Sequence, residues 1–454
     1  MLKRIATALW GKFESRDEVQ KFFTLSAIFF LIIGTYWCMR PLKDGLFANI
    51  VGVDYIPWAK FLSLIVITPL ILVYSKLVDM FTRHKVFYIL ITLYALAALI
   101  FGYFLNHPTY GLPNTTEDPT RILGWAWYVF VESFGSLIVA LFWAFTTDIT
   151  KEDAAKRGFP FIALGGQLGN MVGPMLRAKS LGLSHSGPIV YILAGAIIVI
   201  GLLMWLFVSV TPKDQLVGFE EVKEAGDKKE ESHSEPGFFE GLRLMITKPY
   251  LLGIFLIIFF YEVIITIIDF LFKATAKASF PLERDFSAFL GSYGTMTGII
   301  STLCVLFGIN NIQRHLGVRA SLILTPILVA VAIVTVKFYP VLGVLFWLMV
   351  FAKAINYALN QPTIKQLYIP TSKDAKYKTQ AWIEMFGSRG SKASGSGINV
   401  FRGFLKGKYG MAGITLFLTL STSVSLGLIA IWFFVVAYLA KTYKKAVDEK
   451  RVAC

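Results

Sequence analysis

Apolar residues fall along this chain in blocks of about twenty, which is the length an α-helix needs to cross the ~30 Å hydrocarbon core of a bilayer. Twelve blocks can be drawn, at 22–39, 56–75, 86–106, 123–146, 158–177, 187–210, 250–272, 286–308, 318–337, 341–364, 379–401 and 412–440. Those at 158–177 and 379–401 are rich in Gly and polar residues, and a reading of hydropathy alone would leave both out. Interrupted segments are expected where a carrier builds its substrate site, so both are kept as spans.

Composition agrees with the pattern. The 454 residues are 56% hydrophobic and 16% charged, with a mean hydropathy of +0.63, which is too apolar for a soluble chain of this size. The net charge of +15 comes from 44 Lys and Arg against 29 Asp and Glu. In a soluble protein it would suggest nucleic acid; here the loops account for it, and no nucleic-acid partner is expected. Segments on the N-terminal side of the membrane carry roughly two-thirds of the Lys and Arg, which puts both termini in the cytoplasm. The segment Met1 to Lys21 is charged and has no small-residue cleavage site, so it does not read as a removable signal. Cys38, Cys304 and Cys454 are scattered and lack metal spacing, and neither a disulfide framework nor a metal site is expected.

The chain divides in two around one long charged loop, 211–248, giving an N-terminal six-helix half (1–210) and a C-terminal one (249–454). The halves echo each other. Laying Glu132 on Lys353 also lays Thr150 on Thr371, Asp153 on Asp374 and Ala154 on Ala375. The loop SKLVDMFTRHK (Ser75 to Lys85) has a faint counterpart in NNIQRHLGVR (Asn310 to Arg319). The expected fold is therefore an all-α integral membrane protein of about twelve transmembrane helices in two pseudo-symmetric halves, the major facilitator arrangement. Asp79, Arg83 and Lys85 partly resemble the short loop motif of that superfamily, with Ser75 in place of its leading Gly.

Charges inside the apolar blocks are the informative residues, since each costs at least ~2.5–3.5 kcal/mol at hydrocarbon depth unless paired or hydrated. The first span ends in YWCMRPLKDGLF, with Arg40, Lys43 and Asp44; the fourth carries Glu132. The seventh reads FFYEVIITIIDFLFK, with Glu262, Asp269 and Lys273; the tenth carries Lys353, Asn356, Asn360 and Gln361. The eleventh reads WIEMFGSRGSKASGSG, with Glu384, Arg389 and Lys392. Glu262 and Asp269 share a helix face, Asp269 and Lys273 can pair as i,i+4, and Lys353 shares a face with Asn356. Lys43, Asp44 and Lys273 stand at predicted helix ends, where snorkelling to the interface is the plain alternative. For Glu132 and Lys353 the alternative is a structural ion pair between the halves. For Arg389 and Lys392 it is a solvated loop. All five histidines fall outside the predicted spans, where loops are expected.

Taken together these residues offer a central cavity a surplus of cations, which suits an anion with several phosphate oxygens. The GSRGSKASGSG run would let backbone N–H groups approach such oxygens closely, as Gly-rich anion nests do. It is not a GxxxxGK[ST] loop, and no nucleophile–base pair, HExxH or paired-carboxylate site is present, so no enzyme, catalytic residue or cofactor is expected.

At these residues the sequence resembles the nucleotide transporters of plastids and intracellular bacteria, the ATP/ADP translocase type. The resemblance covers nearly the whole chain. It is carried by RPLKDGLF, ESFGSLIVALFWAF, DFLFKATAKASFPLERDFSAFLGSYGTMTGI and YIPTSKDAKYKTQAWIEMFGSRGSKASGS. It implies that Lys43, Glu132 and Asp269 (a glutamate in most of the family) are functional charges. It also implies a functional lysine after the tenth span, which is Lys376 or Lys378. The family's Gly-Lys-Ser block falls loosely on Ser391, Lys392 and Ala393.

The implied function is nucleotide transport by alternating access, as ATP/ADP exchange. The alternatives are proton-coupled import of nucleoside triphosphates or carriage of another nucleotide such as NAD, and, from another class, a membrane-embedded enzyme or receptor. Candidate substrate-binding residues are Arg40, Lys43, Glu132, Asp269, Lys273, Lys353, Asn356, Lys378, Arg389 and Lys392. A nucleotide and the lipid bilayer are the expected partners, acting on a monomer in a bacterial inner membrane.

Overall fold

The computed structural model describes residues 15–150, 152–178, 184–212, 216, 238–306, 310–372, 379–449 and 452–453. Helices occupy every predicted span. They are α1 (Arg16–Ile50), α2 (Ile56–Met80), α3 (Arg83–Asn106), α4 (Ile122–Asp148), α5 (Glu152–Ala178), α6 (Gly187–Val210), α7 (Phe238–Thr247), α8 (Pro249–Ser279), α9 (Glu283–Leu306), α10 (Asn310–Phe338), α11 (Leu342–Ile355), α12 (Gln361–Leu367) and α13 (Ser388–Asp448). A π turn, Asn356–Asn360, joins α11 to α12, and a second, Ile383–Gly387, leads into α13. Among the described residues nine helical stretches are long and apolar enough to cross a membrane, the last of them α13. The more polar α5 and α9 stand at the remaining positions.

Three elements differ from the sequence expectation. Hydropathy ends span one at 39, yet α1 continues to Ile50 through Pro41, so RPLKDGLF lies inside the helix. A proline interrupts one hydrogen bond, and membrane helices tolerate this where neighbours cover the freed carbonyl. Spans eleven and twelve are two helices as expected, but they follow one another in α13 without a loop and meet at a break at Gly410, whose φ of 61° and ψ of −132° suit a residue without Cβ. The loop 211–248, mostly outside the described residues, ends in the ten-residue helix α7, whose sequence FFEGLRLMIT sets apolar against charged positions.

The described chain falls into two compact units. The first comprises 1–52, 65–232 and 282–295; the second comprises 53–64, 233–281 and 296–454. In the first, α1 packs on α5 more extensively than any other pair of helices. The reason is a GxxxGxxxG stripe on α5. A Cβ on Gly165 would lie 2.4 Å from the Ser26 carbonyl oxygen, one on Gly169 2.4 Å from that of Phe30, and one on Gly173 2.3 Å from that of Gly34. The three glycines let the two backbones touch, the small-residue packing of membrane helices. The same glycines make span five weakly apolar in sequence, and packing is what they do.

The short segment 282–295 is held in the first unit by a buried polar cluster. Arg177, 3% exposed, donates through Nε to the Ser287 hydroxyl at 2.9 Å. Glu283 accepts from the Ser186 N–H at 3.0 Å and the Ser186 hydroxyl at 2.7 Å, and from the Ser287 hydroxyl at 2.8 Å. Between α3 and α4, the Arg121 guanidinium gathers the carbonyls of Tyr110, Gly111, Asn114 and Thr116, fixing the loop. The Thr120 N–H and hydroxyl hold the neighbouring Asp118 carboxyl below its ordinary range.

In the second unit, α8 packs mainly on α13, where a Cβ on Gly395 would lie 2.7 Å from the Val263 carbonyl oxygen. The start of α2 is tied in by charge: Asp54 takes Arg402 and, at 3.0 Å, Lys406.

Candidate functional site

Each unit carries a lysine–carboxylate cluster inside its apolar helices. In the first, Lys43 is 4% exposed and two turns inside α1, so it is packed within the bundle and does not snorkel from a helix end. It donates to Glu132 on α4, lies 3.9 Å from Asp44 and sits 4.3 Å from the centroid of Tyr128. Glu132 keeps 28% of its side chain exposed, so the pair borders accessible space. One turn earlier on α1, the Arg40 guanidinium covers Trp37, 4.5 Å from the ring centroid, and approaches Tyr36 at 5.9 Å. The geometry explains the residue types: a cation over an aromatic face stays charged and orientable while shielded from lipid.

In the second unit, Asp269 on α8 carries two lysines. Lys273 donates to Oδ2 at 2.7 Å, one helical turn on, as the i,i+4 spacing predicts. Lys60, from the start of α2, reaches the same oxygen at 3.6 Å. More positive than negative charge is therefore gathered around one half-buried carboxylate, an arrangement that favours a further anion nearby. Lys60 has no place among the candidates read from the sequence. As a single cation four residues into an apolar block, it looks like an interface residue, and only the return of α2 onto α8 shows its partner.

The other predicted residues separate. Asn356 is buried in the π turn, where its Oδ1 accepts from Asn360 at 2.8 Å. Lys392 is half exposed and lies 3.9 Å from Glu262; Arg389 is half-buried on the first turn of α13. Both are helical, so the solvated-loop alternative does not hold. Nor is GSRGSKASGSG an open cradle. Its residues from Ser388 on belong to α13, and the Ser388 N–H already bonds to the Ile383 carbonyl across the π turn, so the backbone donors serve the helix. Small side chains there serve packing against α8 instead. Lys376 and Lys378 lie outside the described residues. Two further pairs have no signal in the sequence: Lys365 with Glu384 and Asp54 with Arg402. Among the described residues no group of His, Cys, Asp and Glu could hold a metal ion.

Solved membrane proteins share this fold. A bacterial homologue of the lysosomal transporter Spinster superposes with a TM-score of 0.62 at 13% identity, covering 95% of this chain and 99% of that one. The POT family transporter PepTSo superposes with a TM-score of 0.63 at 11% identity, over 94% and 98%. These likenesses show the fold, of the major facilitator type. The sequence profile described as TLC ATP/ADP transporter matches residues 2–117, 120–346 and 340–443. This chain belongs to that family: it is a multi-pass membrane transporter of the ATP/ADP type. Among its relatives are ADP,ATP carrier protein 1 of Chlamydia pneumoniae, 26% identical over 96% of this chain and 94% of that protein, and ADP,ATP carrier protein 1 of Rickettsia conorii, 24% identical over 99% and 98%. The chloroplastic ADP,ATP carrier protein 2 of Arabidopsis thaliana is 25% identical, over 96% of this chain and 76% of its own length.

Proposed function

We propose that this protein exchanges ATP for ADP across a bacterial inner membrane, and that phosphate is met by Lys60 and Lys273 within the second unit, Lys43 being the candidate cation of the first. The observation that carries the reading is the double occupation of Asp269 by Lys60 and Lys273. A phosphate competes well for ammonium groups held this way, because charge-assisted hydrogen bonds to phosphate are among the strong ones. Glu132 and Asp269 hold the lysines in place while substrate is absent, and Arg40, Lys353, Arg389 and Lys392 add positive charge. Exchange has an electrostatic advantage: ATP carries about one more negative charge than ADP near neutral pH, so each cycle moves about one net charge. Net import moves several, at ~2.3 kcal/mol per charge per 100 mV.

The test is uptake of labelled ATP into proteoliposomes with and without internal ADP. Uptake that needs internal nucleotide and ignores an imposed pH gradient is expected; uptake driven by the pH gradient without internal nucleotide would replace exchange by proton-coupled import. In the same assay Lys60→Gln should need about tenfold more ATP for half-maximal uptake, the cost of one charge-assisted bond.

Both termini are placed in the cytoplasm by the bias of Lys and Arg. A cysteine at exposed Thr82 should then label from the cytoplasmic side and one at exposed Glu117 from the other, against the background of the native cysteines. Labelling of the two from the same side would break this topology.

A further inference from the structure

Two helical turns before Asp269, α8 presents a second, largely covered carboxylate, Glu262. Its contacts are long: the Ser388 hydroxyl donates at 3.5 Å and Lys392 stands 3.9 Å away, while only 13% of the side chain is exposed. An ionised carboxylate has about four lone-pair positions to fill, and burial with weak partners is costly. Glu262 borders a cavity of about 120 Å³ whose polar wall also includes Gln361, Lys365, Tyr368, Glu384 and Ser388, with isoleucine side chains completing it. Tyr368 is 2% exposed, and its hydroxyl has no hydrogen-bond partner among the described residues. Glu384, by contrast, is engaged by Lys365 and by Gln380, the latter at 2.9 Å.

The chemistry of the wall narrows the ligand. A metal or alkali cation would sit beside the ammonium of Lys365, with Lys392 3.9 Å from Glu262, and is disfavoured. A phosphate would face two carboxylates and is disfavoured too. What remains is a neutral group rich in hydroxyls, and at ~10–15 Å³ of such volume per water the cavity holds roughly the bulk of a pentose ring. A vicinal diol can donate two hydrogen bonds to one carboxylate, the way nucleotide-binding sites elsewhere hold a ribose through an acidic residue. Position agrees. Glu262 and Asp269 are seven residues apart on one face of α8, so they are about 10.5 Å apart along the axis at 1.5 Å per residue, comparable to the reach of a triphosphate chain.

We propose that this cavity is the ribose subsite: the Glu262 carboxylate accepts hydrogen bonds from the 2′- and 3′-hydroxyls while the phosphates lie towards Lys273 and Lys60, a reading that rests on nucleotide transport as proposed above. The Tyr368 hydroxyl and the Gln361 amide supply the neighbouring donors and acceptors.

Competition against labelled ATP uptake in proteoliposomes of the full chain tests it, with ATP, 2′-deoxy-ATP and 2′,3′-dideoxy-ATP as competitors. In the wild type, dideoxy-ATP should compete about tenfold or more weakly than ATP, because a site built around substrate hydroxyls rejects the analogue that lacks them. In Glu262→Ala, the half-inhibiting concentration of ATP should rise to that of dideoxy-ATP, and the ratio should fall to near one. Tyr368→Phe, which removes one buried oxygen and keeps the ring, should lower the same ratio in part. It serves as the second variant if Glu262→Ala does not fold.

Equal competition by ATP and dideoxy-ATP in the wild type overturns the subsite while leaving nucleotide transport standing. So does a ratio that both variants leave unchanged. If Glu262→Ala instead removes a dependence on sodium or pH and keeps the ratio, the cavity holds a cation and the proposal falls. No uptake of any nucleotide by the wild type overturns the transport reading itself, and this one with it.

Discussion

Lys43→Ala abolishes nucleotide uptake, by an expected hundredfold or more, while folded protein still reaches the membrane. Two effects add. The first is the loss of an ammonium placed for phosphate, whose charge-assisted bonds contribute ~1.5–3 kcal/mol. The second is the stranding of Glu132. Removing one partner of a fully buried ion pair costs ~3–5 kcal/mol; Glu132 retains 28% exposure, so water takes up part of the charge and the cost falls to about 1–3 kcal/mol. That weakens the protein without unfolding it. The double variant Lys43→Ala/Glu132→Ala separates the roles, since it removes the Glu132 charge that the single variant strands. Its thermal stability should return towards the wild type, and its uptake should stay abolished. If the double variant transports normally, Lys43 only neutralises Glu132, and the phosphate contact lies elsewhere.

Gly169→Leu prevents the protein from folding. The Cβ alone would stand 2.4 Å from the Phe30 carbonyl oxygen and 2.9 Å from the Gly34 nitrogen, and both neighbours are backbone, which cannot rotate aside. The helices would have to part along the whole stripe from Gly165 to Gly173, losing the most extensive contact in the first unit. Overpacking by a methylene or two costs ~1–3 kcal/mol where side chains can adjust. Here they cannot, so Gly169→Ala alone should cost about 3 kcal/mol or more and Leu exceeds the marginal stability of a protein. Size-exclusion profiles and melting temperatures of the detergent-solubilised protein give the readout. Gly195→Ala on α6 is the control, because a Cβ there meets nothing within 4 Å, and its melting temperature should match the wild type. A monodisperse, stably folded Gly169→Leu would show that α1 and α5 do not need this contact.

The two experiments probe different kinds of residue that look alike in the sequence. Both are anomalies in an apolar segment, one a charge and the other a run of glycines. The charge is legible because the bilayer makes it expensive, so Lys43, Glu132, Asp269 and Lys273 stand out from the apolar pattern alone. Even the Asp269–Lys273 pairing follows, since i,i+4 geometry is local. The glycines are ambiguous. A Gly-rich segment fits a substrate cradle or a tight helix contact equally, and the neighbour across the gap decides which. For α5 the neighbour is the backbone of α1; for Ser388 to Gly397 it is α8, and the expected cradle proves to be helix.

Sequence by itself determined the helical membrane fold, the places of its spans, the family and the identity of most buried charges. These follow from period, length and the cost of charge in hydrocarbon, all of them local or one-dimensional properties. Tertiary structure decided the partners. Lys60 finds Asp269 although more than two hundred residues separate them, Lys43 finds Glu132, and Glu262 comes to border a cavity with Gln361 and Tyr368. None of these pairings has a spacing rule, because side chains on different helices meet only once the helices have packed, and packing was set by apolar and glycine surfaces that carry no record of the charges they bring together.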